Sequence, residues 1–273
     1  MMRGMFAAIS GLKNHQVMLD VTANDIANVN TIGYKSARTT FKDSLNQLQR
    51  GASGPGGGAG GANAAQIGLG VTLGSIDNLM QGGAMQSTGN PLDVAIQGPG
   101  FFRVFTSTAT PPTATTWEYT RAGNFTTNAN GDLLTQEGYY VQGVDAGGAE
   151  QVINIPATAT NIAIAQNGEV TYVDAAGTRV SAGFLSLATF ANAAGLERSG
   201  SNRWRETANS GAGVPGTPGP TTGFTTAGAI EMSNVDLAQT FTSMITAQRG
   251  FQANSRVIST SDEMLQDLVN LKR

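Results

Sequence analysis

The residues able to do chemistry are few, and their spacing argues against each reaction in turn. His15 is the single histidine. As a general base it would need an orienting carboxylate and a nucleophile within reach. Asp20 lies five residues on, which a helix turns to another face. A solvated or interface histidine is the plainer reading. Cysteine is absent, which excludes disulfides, thiolate metal sites and thiol nucleophiles. Asp262 and Glu263 fall in helical sequence, where a solvated face accounts for them. Asp132, Asp145, Glu169 and Asp174 sit among turn signals and form no calcium-loop pattern. The glycine-rich run 51–61 is followed by Ala62-Asn63-Ala64-Ala65, not by the Lys and Ser or Thr of a phosphate loop. Gly68, Gly70 and Gly74 miss the dinucleotide spacing and lead into strand-like sequence. Phe101, Phe102, Phe105, Trp117, Tyr119, Phe125, Tyr139 and Tyr140 suit a stacking face for sugars or bases. Their alternating positions read better as core. Sixteen basic against nineteen acidic residues, a net charge of −3, speak against a nucleic-acid binder. No catalytic, cofactor-binding or metal-binding residue is expected, and the chain is not read as an enzyme.

What the sequence does carry is packing pattern. Met2, Met5, Ile9, Leu12, Gln16, Leu19, Ala23 and Ile26 recur at alternating steps of three and four. That is a narrow heptad seam on a helix, over about 25 residues and roughly 38 Å long. At the other end Ser233 or Asn234 is the expected helix cap, with Asp236 in the first turn. The same rhythm then runs through Leu237, Phe241, Met244, Gln248, Phe251, Ser255, Ile258, Asp262, Leu265 and Val269. The polar members Gln248, Ser255 and Asp262 recur every seven residues. This helix is expected to end near Lys272-Arg273, cations suited to a helix C-terminus. One seam buries little unless the helices find each other or find neighbours. Ends unordered alone and ordered on assembly are the expectation.

Between the ends the chain reads as β structure. Leu92–Ile96, Phe101–Phe105, Trp117–Thr120, Asn124–Thr126, Val152–Ile155, Ile162–Ile164 and Val170–Val173 are short β-prone runs. Phe184–Phe190 is the clearest alternating strand. Asn130-Gly131 and Asn167-Gly168 are hairpin-type turns. Residues 208–229 read as a connector. The fold class is therefore α+β: long N- and C-terminal helices, and an antiparallel sandwich or barrel-like body. Thirteen per cent charged residues is about half the usual share, and suits packing against other protein. No run approaches the roughly 18 apolar residues of a membrane span. The N-terminal apolar run is broken by Ser10, Gly11 and Lys13, so no cleaved signal peptide is expected.

Four ordered blocks are similar to a known family. Asn24-Asp25-Ile26-Ala27-Asn28-Val29-Asn30-Thr31-Ile32-Gly33-Tyr34-Lys35 resembles the N-terminal signature of bacterial flagellar rod and hook proteins, with Asp25 where a second Asn is usual. Asn28, Thr31, Gly33, Tyr34 and Lys35 carry that match. Leu92–Phe102, Tyr119–Phe125 and the pair Glu231–Leu237 with Met244–Gln252 resemble three further family blocks. The resemblance implies a helical homopolymer around a channel. The terminal helices, 1–33 with 234–273, would form a coiled-coil-like inner domain. Residues 34–70 would bridge to a β-rich outer domain, 71–233. Met5, Ile9, Leu12, Leu19, Ile26, Leu237, Phe241, Met244, Phe251, Ile258, Leu265 and Val269 would pack subunits together. Gln248, Ser255 and Asp262 would be either channel wall or polar breaks in the seam. The implied partners are further copies, the hook cap, distal rod and hook–filament junction proteins, and the flagellar type III export apparatus. The implied place is the flagellum, reached without a cleaved signal. Within the family the segment 257–273 and Gln86–Gly89 favour a short hook protein, a flexible torque-transmitting joint. The distal rod, a rigid shaft, is the alternative, and residues 36–70 match its length better. A secreted β-rich adhesin or carbohydrate-binding module is the reading from a different class.

Overall fold

The computed structural model describes residues 2–54, 60–105 and 117–271. The tip of the glycine-rich run, 55–59, and Lys272-Arg273 lie outside them. The described chain has one helix near each end and short strands between, so the fold is α+β. It divides into two units. One is Met1–Ala27, Ala37–Asp77 and Asp236–Arg273; the other is Asn28–Ser36 with Asn78–Val235. No helix among the described residues is long and apolar enough to cross a membrane.

The first unit is built on α1 (Met2–Ala27) and α2 (Leu237–Asn270). They run antiparallel, since Gly11 lies against Asn254 and Gly250 against His15. A Cβ at Gly250 would stand 2.6 Å from the imidazole, so glycine sets how closely the backbones approach. The most buried residues of α1 are Ala8, Gly11, Asn14, Thr22 and Asp25, small or polar rather than large and apolar. Buried polar groups must be bonded, and these are. Asn14 Nδ2 donates to the carbonyls of Ser10 and Val71, both at 2.8 Å. Thr22 Oγ1 donates to Met18 O at 2.8 Å, and Asp25 accepts from Ala37 N–H at 3.2 Å. The cap of α2 is Asp236, whose carboxylate accepts from the N–H groups of Ala238 (2.9 Å) and Gln239 (3.2 Å). Ser233 and Asn234 do not cap it, because their side chains are engaged elsewhere: Ser233 Oγ with Val235 N–H, Asn234 Nδ2 with Leu79 and Gln81 carbonyls. Strand Ala37–Asp43 pairs with Val71–Asn78. Strands Asn46–Arg50 and Ala65–Gly68 form an antiparallel hairpin exposed along its length.

The second unit holds a sheet of thirteen strands among the described residues, with antiparallel pairing throughout. Its main path runs Thr160–Ile164, Glu169–Val173, Arg179–Leu185, Tyr140–Val144, Phe101–Phe105, Glu118–Thr120, Arg203–Arg205, Glu197–Gly200. Val94, Ile96, Phe102, Val104, Phe125, Leu133, Val141, Ile153, Leu185 and Leu187 fill one core cluster. Phe101, Tyr119, Ala188, Leu196 and Trp204 fill a second. Phe101, Phe102, Phe105 and Phe125 are therefore core, and the Phe102 and Phe125 rings meet edge to face at 5.0 Å. The expected strand Phe184–Phe190 is instead two, Arg179–Leu185 and Leu187–Thr189. The break at Ser186 is where the chain changes partners. Leu185 pairs with Gly143, whereas Leu187 pairs with Phe102 and Gly216. The expected connector 208–229 contains strands Val214–Gly216 and Phe224–Ala227, and the latter pairs with Val94–Gln97.

Candidate functional site: helix faces and a buried ionic triad

Two features could carry function, one in each unit. The first is the uncovered surface of the helix pair. Met5, Ile9, Leu12, Leu19 and Ile26 are only half-buried, because α1 turns its small and polar stripe inward. On α2 Met244, Phe251, Ile258 and Leu265 are half-buried as well. Leu237, Phe241 and Val269 are 42%, 48% and 70% exposed. Ile245, Val257, Met264 and Leu268, which the seam did not include, are also exposed. Leu237, Phe241 and Ile245 recur every four residues and so share one face of the helix. Gln248, Ser255 and Asp262 are exposed. Contiguous apolar surface of this kind marks a contact surface.

The second feature is a cluster of charges inside the second unit. The signature segment after α1 enters this unit at Asn28, with Thr31 Oγ1 bonded to Asn28 Oδ1 at 3.0 Å. Gly33 adopts a left-handed φ of 68°. A Cβ there would stand 2.7 Å from Ala122 N, so the backbone approach requires glycine. Gly33 N–H donates to Glu231 O at 2.8 Å. Tyr34 and Lys35 are buried. Arg198 lies over the rings of Tyr34 and Trp204 and donates to Lys35 O at 2.5 Å.

The Lys35 ammonium, 0% exposed, donates to Glu231 Oε1 at 2.5 Å and to Gln81 O at 2.8 Å. Arg121 donates to Glu231 Oε2 at 3.2 Å and to Gly98 O at 2.6 Å, and its guanidinium lies over the Phe101 ring. Glu231 Oε1 also accepts from Gly83 N–H at 2.9 Å. One carboxylate thus answers two cations, all three nearly fully buried. Desolvation lowers the Lys35 pKa, and the Glu231 charge opposes that shift. Arg121 is lowered by burial in the same way. Arg121 Nε has no hydrogen-bond partner among the described residues.

Lys35 belongs to the block that resembles the family signature, but nothing in the residue pattern pairs it with Arg121 and Glu231. Arg121 is the one charge in Tyr119–Phe125, whereas Glu231–Leu237 holds two, Glu231 and Asp236, and neither block marks a partner for its charges.

The arrangement defines a class: a structural α+β protein whose helix pair keeps apolar surface uncovered within the chain and whose charges brace its own body. Comparison with known proteins makes the class particular. Residues 5–35 match the family described as flagella basal body rod protein. Residues 95–172 match the flagellar hook protein FlgE/F/G D1 domain, and 226–271 the flagellar basal body rod FlgEFG protein C-terminal. Over 277 aligned residues, and the whole of both chains, the sequence is 48% identical to the flagellar basal-body rod protein FlgG of Bacillus subtilis. It is 40% identical to the protein of that name from Agrobacterium fabrum, over 96% of this chain and 97% of that one. The flagellar hook protein FlgE of Borreliella burgdorferi is 28% identical, again over the whole of both chains. The chain belongs to the flagellar basal-body rod and hook protein family, whose members are structural components of the flagellum. The preference for a hook subunit gives way here, since rod proteins match this chain more closely than that hook protein does. Lys35, Arg121 and Glu231 fall one in each of the three matched segments.

Proposed function

We propose that the chain is a subunit of the distal rod of the flagellum, a tubular homopolymer that acts as a stiff shaft. The polymer reading is carried by the uncovered apolar faces of the helix pair. Leu237, Phe241 and Ile245 on one face of α2, and Val257, Met264 and Leu268 further along, keep between 42% and 51% of their surface exposed. In a tube they would pack against other copies, together with the half-buried Met5, Ile9, Leu12, Leu19 and Ile26 of α1. Rod over hook rests on the identities, 48% and 40% against 28%.

In this reading residues 1–33 and 234–273 form a coiled-coil-like inner wall, 34–70 bridge outward, and 71–233 form a sandwich-like outer wall. Gln248, Ser255 and Asp262 make a polar stripe suited to a channel through which unfolded chains slide. The subunit reaches its place through the flagellar export apparatus without a cleaved signal. A chain without cysteine suits that route, because no disulfide can form before threading. Electron microscopy of the purified chain under assembly conditions tests the reading. Straight hollow tubes are expected. Curved tubes would return the assignment to the hook, and a monomer that binds glycans at every concentration tried would end the polymer reading.

A further inference from the structure

We propose that Lys35, Glu231 and Arg121 form a late-closing lock, in which Glu231 fastens residues 28–36 and 78–84 onto an already formed sheet. The inference stands on the second unit alone and does not depend on the rod reading.

The argument begins with charge. Lys35 and Arg121 sit on the two oxygens of one carboxylate, in a site with almost no solvent. Without that carboxylate two like charges would share a buried site, which is strongly unfavourable. The Lys35 ammonium therefore cannot be buried stably beside Arg121 before Glu231 arrives, and until then Gly83 N–H in the 78–84 segment lacks its acceptor. The backbone agrees, because the same short stretch of chain ties both segments. Glu231 O accepts from Gly33 N–H (2.8 Å), and Glu231 Oε1 from Gly83 N–H (2.9 Å). Met232 N–H donates to Ala84 O at 2.9 Å. Asn234 Oδ1 accepts from Ser36 N–H at 2.7 Å, and its Nδ2 donates to Leu79 O at 2.8 Å. Residues 231–234 thus act as a clasp.

Arg121 belongs to the other side of the device. It bonds Gly98 and covers Phe101, both parts of the sheet body. That body has its own apolar clusters and its own ladders, none of which need Lys35. Closing the clasp joins residues 196 and 110 positions apart, so it bears a large loop-closure entropy that the local hairpins do not. Sheet first and clasp last is the order these terms dictate. Lys35 follows α1 in the chain and Glu231 precedes α2, so the lock joins the two stretches by which the chain enters and leaves the second unit. A chain that lacks the clasp would have a formed sheet with residues 28–36 and 78–84 loose upon it.

The test is the kinetics of the full chain, followed by the fluorescence of its two tryptophans, Trp117 and Trp204. Glu231→Gln leaves two cations, and is expected to raise the unfolding rate on the order of a hundredfold while the refolding rate stays within about threefold. Lys35→Met leaves a one-to-one pair, so its effect on the unfolding rate is expected to be less than a tenth as large. Refolding slowed in proportion to the lost stability would place Glu231 in the nucleus and overturn the proposal. A Lys35→Met effect larger than that of Glu231→Gln would overturn it equally. Should Glu231→Gln fail to fold, hydrogen exchange on the unaltered chain decides. The Gly33, Ser36 and Gly83 amides are expected to exchange together and at least tenfold faster than the Leu133 amide in the core. Exchange of all four only by global unfolding would refute the lock.

Discussion

Truncating Phe241 to alanine separates the stability of the subunit from its assembly. Phe241 is 48% exposed on α2 and lies outside both core clusters. A Phe side chain carries about 200 Å² of accessible surface, so about 95 Å² remains for a neighbour to cover. At about 25 cal/mol per Å², full cover in a polymer contributes about 2.4 kcal/mol. That is roughly a fiftyfold rise in critical concentration when the ring is removed. The free subunit loses the half of the ring that its own chain covers, about 100 Å² or at most about 2.5 kcal/mol, and alanine's helix propensity returns a few tenths of that. The assay is sedimentation of polymer against total concentration, beside a urea titration of the monomer. Phe241→Leu keeps much of the area and should shift the critical concentration less than about fivefold. An unchanged critical concentration for Phe241→Ala, measured where the urea titration shows the monomer still folded, would refute the claim that this face is covered by other copies.

Three further outcomes follow from named contacts. Gly250→Ala should destabilise the helix pair by about 1–3 kcal/mol despite alanine's higher helix propensity, because the new methyl meets His15. His15→Ala should relieve most of that loss in the double variant, and the midpoint of helical circular dichroism in urea reads both. Tyr119, whose hydroxyl bonds Glu206 at 3.2 Å, has its pKa pushed up to about 12 by burial first and then by the Glu206 charge. The unfolded chain ionises first, near pH 10, so stability is complete below that pH and falls toward pH 12 by about 1 kcal/mol per unit. Tyr119→Phe should flatten that decline, and parallel curves for the two proteins would contradict it. Deleting residues 260–273 removes Met264, Leu265, Leu268 and Val269 but nothing from the second unit. The fluorescence of Trp117 and Trp204, both in the second unit, should stay native while polymer no longer sediments, and normal polymerisation of that chain would count against the role given to α2.

The helices were legible because a 3.6-residue repeat leaves its period in the residue types. Both were expected from Met2 and from Leu237 onward, as helices ordered only on assembly; both are present, and within the single chain they already lie against each other. Which face turns inward was less legible. The seam of large residues drew attention, yet the pair closes on Gly11, Ala8, Ala247 and Gly250, where small residues allow approach. Small residues carry no hydrophobic signal, so a pattern search passes over them. The cap of α2 moved to Asp236 because Asn234 bonds carbonyls distant in sequence. The split at Ser186 depends on which strands lie alongside, which a period of two does not encode. The triad was hidden for the same reason. Each of its charges sits in a different block, and only tertiary structure brings Lys35, Arg121 and Glu231 within bonding distance.

The most direct test uses the absence of cysteine. A chain bearing Ile245→Cys, at a position 51% exposed on the same face as Phe241, has one thiol and no background. Its rate of maleimide labelling in the free subunit, compared with its rate in sedimented polymer, reports cover of that face by another copy. The account predicts fast labelling in the subunit and at least tenfold protection in the polymer. Equal rates in the two states would show that α2 keeps this face in water after assembly, and would contradict the packing on which the proposal depends.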